Sequence, residues 1–150
     1  MPRIEIKGLD DVAFMLNRMS EKSEEIIKRA IYDGVGVMAD TVRGNIGSIR
    51  STGPSDWERR RREAQKAGLQ EGLTTFDIEN TGGKIEGGVG FGGYNSLGQA
   101  NQMIARVFNS GTSFSSKQPF FDRAVRSSRY QARQIIISEI EDEMQNLTKG

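Results

Sequence analysis

Leu73-Thr74-Thr75-Phe76-Asp77-Ile78-Glu79, then Asn80-Thr81-Gly82-Gly83, then Lys84-Ile85-Glu86-Gly87-Gly88-Val89-Gly90-Phe91: this stretch reads as two strands joined by a turn. Phe76 and Ile78 stand two residues apart, the period that places side chains on one face of a strand. Beyond the turn, Ile85, Val89 and Phe91 repeat that period. A short run of Asn, Thr and Gly between two such segments predicts a β-hairpin. The glycines from Gly87 onward thin one face of its second strand.

Upstream, Ile27, Ile31, Val35, Met38 and Val42 recur at three and four residues, with Ala30 and Ala39 beside them. This spacing predicts a long helix that buries one face. Gly34 and Gly36 weaken such a helix by up to about 1 kcal/mol each relative to alanine. Close approach of another backbone is the expected reason. The chain opens on Arg3-Ile4-Glu5-Ile6-Lys7, which alternates as a short strand does. After Gly8, Asp10 or Asp11 is placed to cap a helix carrying Leu9, Val12, Leu16 and Met19, with a break or fresh cap at Ser20 or Ser23.

Residues 44–72 are polar and punctuated by Gly44, Gly47, Gly53 and Pro54. Ser55 or Asp56 is placed to cap a short charged helix through Lys66, and the whole stretch reads as an exposed arm or long loop. Downstream of the hairpin, a loose glycine-rich loop over 92–98 leads to residues 100–108, whose pattern fits a strand or a short helix equally. Pro119 suits the first turn of a helix. Phe121, Val125, Ala132, Ile135, Ile136, Ile140, Met144 and Leu147 then supply its apolar stripe. The order strand, helix, sheet, helix predicts a single α+β domain over 1–150: a small antiparallel sheet packed by a long N-terminal helix and a long C-terminal helix.

Composition narrows the chemistry. The 150 residues hold 21 Lys and Arg against 20 Asp and Glu, so no global charge draws the chain to nucleic acid. There is no cysteine and no histidine, which removes thiol chemistry, the usual general base near neutral pH and the commonest metal ligands. No catalytic residue, cofactor or metal is expected, and no enzyme. The N-terminal residues lack the apolar run of a signal peptide, and no stretch is long and apolar enough to span a bilayer, so a cytoplasmic site of synthesis is expected.

Two phosphate-binding patterns are present only in outline. Gly88-Val89-Gly90-Phe91-Gly92-Gly93 has the three spaced glycines of a dinucleotide loop, but Tyr94, Asn95 and Ser96 open no periodic helix and Ser113 stands where the ribose-binding acid belongs. Gly82-Gly83-Lys84-Ile85 has Ile85 where magnesium needs a hydroxyl and Ile78 where the first glycine belongs. Both are set aside. The strongest local charge is Arg59-Arg60-Arg61-Arg62 beside Trp57, flanked by Asp56, Glu58 and Glu63. It fits a solvated helix face, a contact with a protein partner through Trp and Arg, or DNA phosphates with Trp57 stacked on a base.

Four landmarks then appear in order. They are Ile4-Glu5-Ile6-Lys7-Gly8-Leu9-Asp10-Asp11, Gly68-Leu69-Gln70-Glu71-Gly72-Leu73, Ile104-Ala105-Arg106-Val107-Phe108-Asn109-Ser110-Gly111-Thr112, and Pro119-Phe120-Phe121-Asp122-Arg123-Ala124. Through them the chain resembles the tail-component or tail-completion family of long-tailed bacteriophages, whose members take part in head–tail joining. In that family a short strand leads through Gly-Leu-Asp into a long helix, and Pro-Phe opens the last one. Ala67 stands where the family has threonine, Gly72 where it has serine and Ile104 where it has tyrosine, with Asn109 or Ser110 near its glutamate. The stretch over 44–66 is longer than is usual there.

The resemblance implies a structural virion protein of a phage or prophage, made in the bacterial host cytoplasm and placed at the virion neck or tail. It implies a ring, six-fold as the tail is, whose partners are further copies, other neck and tail-tube proteins, and non-specifically the DNA in the lumen. Within such a ring the last helix draws attention. Arg123, Arg126, Arg129 and Arg133 occupy its first half, and Glu139, Glu141, Asp142 and Glu143 its second, the reverse of what the helix dipole favours. Arg126, Arg129, Arg133, Glu139 and Glu143 are therefore the expected subunit contacts, unless these are ordinary surface charges. Trp57, Arg59, Arg60, Arg61 and Arg62 are the expected contacts with a partner or DNA; a DNA-binding accessory protein using that run is the alternative function. Phe120 and Phe121 are expected to anchor the last helix on the sheet.

Overall fold

The computed structural model describes residues 4–6, 12–17, 23–51, 53–113 and 116–149. Strands β1 (Ile4–Ile6) and β2 (Val12–Asn17) come first, followed by helices α1 (Glu24–Gly47) and α2 (Asp56–Gly72). Then come β3 (Leu73–Thr81), β4 (Lys84–Phe91), α3 (Asn101–Ser110) and α4 (Phe120–Lys149). The fold is α+β, with one antiparallel sheet of order β1-β2-β4-β3.

The hairpin forms where the pattern places it. β3 and β4 pair from Leu73↔Phe91 to Thr81↔Lys84. Gly82 and Gly83 close the turn at φ 60° and 87°, the left-handed conformation that a two-residue hairpin of this twist demands at both central positions. One detail differs from expectation: Phe76 and Ile78 do not share a face. Between the pairs Phe76↔Gly88 and Glu79↔Glu86, β3 holds two residues where β4 holds one. This bulge reverses the alternation. Ile78 sits beside Gly87 and Ile31 on the helix side, whereas the Phe76 ring covers Gly90 on the other side.

The N-terminal segment also departs from its reading. Val12–Asn17, the described part of the helix expected over 9–19, is strand β2, paired with both β1 and β4. Val12, Phe14 and Leu16 satisfy a period of two as well as Val12 and Leu16 satisfy a helix, and the free edge of β4 supplies the partner that decides between them. The long helix that the family resemblance places directly after Gly8-Leu9-Asp10 begins only at Glu24, with Ser23 at its N-cap. Leu9, Asp10, Asp11, Met19 and Ser20 lie outside the described residues.

Helix α1 is the centre of the molecule. Its buried face is the expected stripe, Ile27, Ala30, Ile31, Val35, Met38, Ala39 and Val42, extended by Ile46. One side of it lies over β4, where Ile31 and Val35 approach Gly87. Another side receives α4, which runs antiparallel to it: Ser23 Oγ meets Met144 Sδ at one end, and Asn45 Nδ2 donates to the Phe120 carbonyl at the other. A Cβ on Gly34 would come within 2.6 Å of the Ile136 side chain and 3.3 Å of the Ala132 carbonyl. The expected close approach is therefore real at Gly34. At Gly36 nothing among the described residues lies within 4 Å of such a Cβ.

Helix α4 buries Phe120, Phe121, Ala124, Ala132, Ile136 and Ile140, with Val125 and Met144 partly covered. The Leu147 side chain lies outside what is described. Phe120 and Phe121 anchor the helix as expected: each packs edge-on against Phe91 at 6.0 Å between ring centroids. Such pairs add about 0.5–1.5 kcal/mol beyond their burial.

Residues 44–72 are mostly helical rather than an arm or long loop. α1 continues through Gly44 to Gly47, and α2 runs past Lys66 to Gly72. The Ser55 side chain caps α2 by accepting from the Glu58 amide at 3.2 Å. The first half of α2 is exposed, but Gln65, Gly68 and Leu69 are buried in the second. The following segment, which fits a strand or helix equally by pattern, is helix α3, burying Ile104, Ala105 and Phe108.

Candidate functional site

The four consecutive arginines of α2 do four different things, because neighbours on a helix point about a quarter-turn apart. Arg59 is spent locally, pairing with Asp56 and donating to the Gly53 carbonyl. Arg62 lies over the ring of buried Phe108 at 4.9 Å, tying α2 to α3. Arg61 lies over the Trp57 ring at 5.5 Å, and Trp57 is 65% exposed. Arg60, Arg61 and Trp57 line a shallow groove of about 430 Å³ whose other wall is Leu97 and Gln99. Of the sequence-nominated cluster, the structure brings Trp57, Arg60 and Arg61 together and assigns Arg59 and Arg62 to the fold.

The opposite wall of that groove is a feature the sequence reading missed. Residues 92–98 do not form a loose loop. Asn95 Oδ1 accepts from the amides of Leu97 and Gln99, and the Gln99 side chain accepts from both Asn95 Nδ2 and Gln65 Nε2. Asn101 Nδ2 donates to the Gly92 carbonyl at 2.9 Å, and the Asn101 amide donates to Gly93. Gly68 and Gly72 let α2 settle onto this platform; a Cβ on Gly68 would lie 2.5 Å from Asn95 Cβ. Asn101 is 2% exposed, and its Oδ1 has no hydrogen-bond partner among the described residues. The available signal was Asn95 two and four residues ahead of Leu97 and Gln99, the spacing of a side chain capping its own turn. The platform holds Leu97 outward and exposed, with Tyr94 and Met103 also exposed near it in sequence.

The second nominated surface is on α4. Arg126, Arg129 and Arg133 are exposed, and their three-and-four spacing sets them on one face together with Tyr130, which is 72% exposed. None of the three has a carboxylate partner among the described residues. The two nominated glutamates lie elsewhere. Glu139 is half-buried and faces Asp33 of α1. Burial first, then the hydrogen bond and charge of Asp33, push its carboxyl up to about 7, with Glu143 adding to the rise and Arg29 opposing it. In its protonated form Glu139 can hydrogen-bond Asp33 across the α1–α4 seam. Glu143 is half-buried four residues on.

The phosphate-loop patterns fall on other structure. Gly88 and Gly90 lie inside strand β4, and Gly82-Gly83 is the hairpin turn. Among the described residues, no group of three or more Asp or Glu is placed to hold a metal ion, and no helix is long and apolar enough to cross a membrane. Comparison with known proteins returns no matching family model, curated protein or solved structure.

Proposed function

We propose that this chain is a structural subunit of the neck of a long-tailed phage or prophage, joining or completing the tail at the head–tail interface as one member of a ring. The observation that carries the reading is the α4 face of Arg126, Arg129, Tyr130 and Arg133, exposed and without carboxylate partners among the described residues. Arg126, Arg129 and Arg133 stand three and four residues apart, and like charges at that spacing repel by about 0.2–0.5 kcal/mol per pair. An acidic surface on a neighbour offsets that cost. Rings built head to tail need two different complementary surfaces on each subunit. On the acidic side of the α4 contact we place Glu143 with the exposed Glu141 and Asp142, since Glu139 is turned toward Asp33.

The family landmarks support the reading from the sequence side. Gly68 to Leu73 form the junction where α2 passes directly into β3, and Pro119-Phe120-Phe121 opens α4 against the sheet. The proposed partners are further copies in a six-fold ring, other neck and tail-tube proteins, and DNA passing through the lumen. Synthesis and assembly are placed in the host cytoplasm, and the finished subunit at the virion neck or tail. The test is mass measurement of the concentrated protein and of purified particles. A ring in either is the expected result; Arg129→Glu with Arg133→Glu should abolish it while leaving the circular dichroism spectrum and melting temperature unchanged. A strict monomer that is also missing from particles would end the proposal.

A second reading, a DNA-binding accessory protein, is favoured by one observation: Arg61 stacked on exposed Trp57 at the edge of the groove. Because Arg59 and Arg62 are engaged in the fold, only two phosphate contacts remain. Binding in a gel shift should then fall with salt at a logarithmic slope of about −1.8.

A further inference from the structure

At one end of the α1–α4 pair lies a second cavity, of about 170 Å³, walled by Ser48, Arg50, Lys117, Gln118 and Arg123 with Ile49 and Phe120 behind them. Its three cations come from three separate stretches: the turn after α1, the segment before Pro119, and the first turn of α4. No Asp or Glu lines it, and none of the three cations has a carboxylate partner among the described residues.

The walls are built rather than incidental. Gln118 is fixed at three points: its side-chain oxygen accepts from the Arg50 amide at 2.9 Å, its own amide donates to the Phe108 carbonyl, and its carbonyl accepts from the Phe120 amide. Asn45 Nδ2 holds the α1 end against the Phe120 carbonyl. The carbonyl end of α1, which would repel an anion, is covered: Ser48 donates through both its amide and hydroxyl to the Asn45 carbonyl, Ile49 donates to Ile46, and Lys66 Nζ donates to Gly47. The positive end of the α4 dipole adds to the field from the same side.

We propose that this cavity is a binding site for a phosphate group. Three cations line a space of roughly six water volumes, enough for a tetrahedral oxyanion, and no carboxylate on its walls opposes one. A guanidinium can present two parallel donors to phosphate oxygens, and this cavity has two of them in its walls. The phosphate belongs either to a small molecule, inorganic phosphate included, or to a nucleic-acid backbone. The inference does not depend on the ring proposed above.

The test titrates inorganic phosphate against chloride at matched ionic strength, reading amide chemical shifts and melting temperature. The expected result is saturable binding that shifts Arg50, Gln118 and Arg123. Arg50→Gln with Arg123→Gln should weaken it by about tenfold or more, a change typical of losing charged hydrogen bonds, while Arg129→Gln with Arg133→Gln leaves it unchanged. Lys117→Ala serves as the second variant if the double substitution lowers the melting temperature in chloride. A short DNA duplex then separates the sources: displacement of bound phosphate assigns the site to a backbone, and binding without displacement assigns it to small-molecule phosphate. A linear, unsaturable response, or equal affinity in the variants, overturns the proposal. So does self-association that needs Arg50 and Arg123 and that phosphate never inhibits, which would make the occupant an acidic surface of a second copy.

Discussion

The α1–α4 seam and the platform under α2 are both sites where a glycine lets a helix come close, yet they are held by opposite chemistry. At the seam, Gly34 admits the Ile136 side chain among dry aliphatic neighbours. On the platform, Gly68 and Gly72 admit the Cα and Cβ of Asn95, the side-chain amide of Asn101 and the Gly92 carbonyl. An isoleucine can change rotamer to yield space, at about 1 kcal/mol, whereas a backbone carbonyl held in a hydrogen-bonded turn cannot. The seam is therefore the more forgiving of the two, although it is the larger and the more buried.

Substitution at the glycines tests this most sharply. Gly72→Ala drives a methyl into the Gly92 carbonyl and the Asn101 amide, and should lower stability by about 3 kcal/mol, the upper range of overpacking. Gly34→Ala meets the Ile136 side chain at 2.6 Å and the Ala132 carbonyl less severely at 3.3 Å and gains about 1 kcal/mol of helix propensity, so its net cost should be smaller, about 1–2 kcal/mol. Gly36→Ala meets nothing among the described residues and should stabilise by up to about 1 kcal/mol. Urea unfolding midpoints of the three variants give the order; a Gly34→Ala loss equal to that of Gly72→Ala would show the seam to be as rigid as the platform.

The seam also holds a titratable contact, Glu139 with Asp33, and it makes a pH-dependent prediction that the platform lacks. The Glu139 carboxyl is raised from the ordinary 4.5 to about 7 in the folded protein, so the native state holds a proton that the unfolded chain releases earlier. Its stabilisation is complete below about pH 4.5 and is lost as pH rises through about 7. Partial exposure keeps the effect on the order of 1 kcal/mol. Glu139→Gln should match the parent near pH 4.5 and exceed it in stability at pH 8. Parallel unfolding curves for parent and variant across that range would show that the two carboxyls do not share a proton.

The same contrast explains what the sequence disclosed. The seam was legible because aliphatic residues at three and four spacing admit few readings: α1 carries its expected stripe, and α4 carries its own, over the side chains described, except at Ile135, which is half-buried and outside the core. The hairpin was legible for a related reason: its turn residues and period agree, even to the Lys84 and Phe91 boundaries. The bulge at Asp77 and Ile78 was not, since nothing local requires an extra residue there. Val12–Asn17 satisfied two periods at once, and only the open edge of β4 selected the strand. The platform escaped notice because its interior is amides and glycines, which resemble solvent-exposed loop composition. Among candidate site residues, the arginine run was visible as charge, but its division between fold and groove depends on Phe108 and Gly53. The cations Arg50, Lys117 and Arg123 meet only because α1 and α4 run antiparallel.

The smallest effect lies within that arginine run and decides whether its division is real. Arg62 covers Phe108, a residue buried between α2 and α3; Arg62→Ala removes a cation–π contact with partial desolvation and should cost about 0.5–1 kcal/mol. Arg61 covers exposed Trp57, where solvent screens both partners, so Arg61→Ala should change stability by less than about 0.5 kcal/mol. Any binding at the groove should respond in the reverse order, lost with Arg61→Ala and retained with Arg62→Ala. Equal unfolding midpoints for the two variants would mean that the platform gains nothing from Arg62, leaving three free arginines on α2 rather than two and a correspondingly steeper salt dependence for any DNA contact.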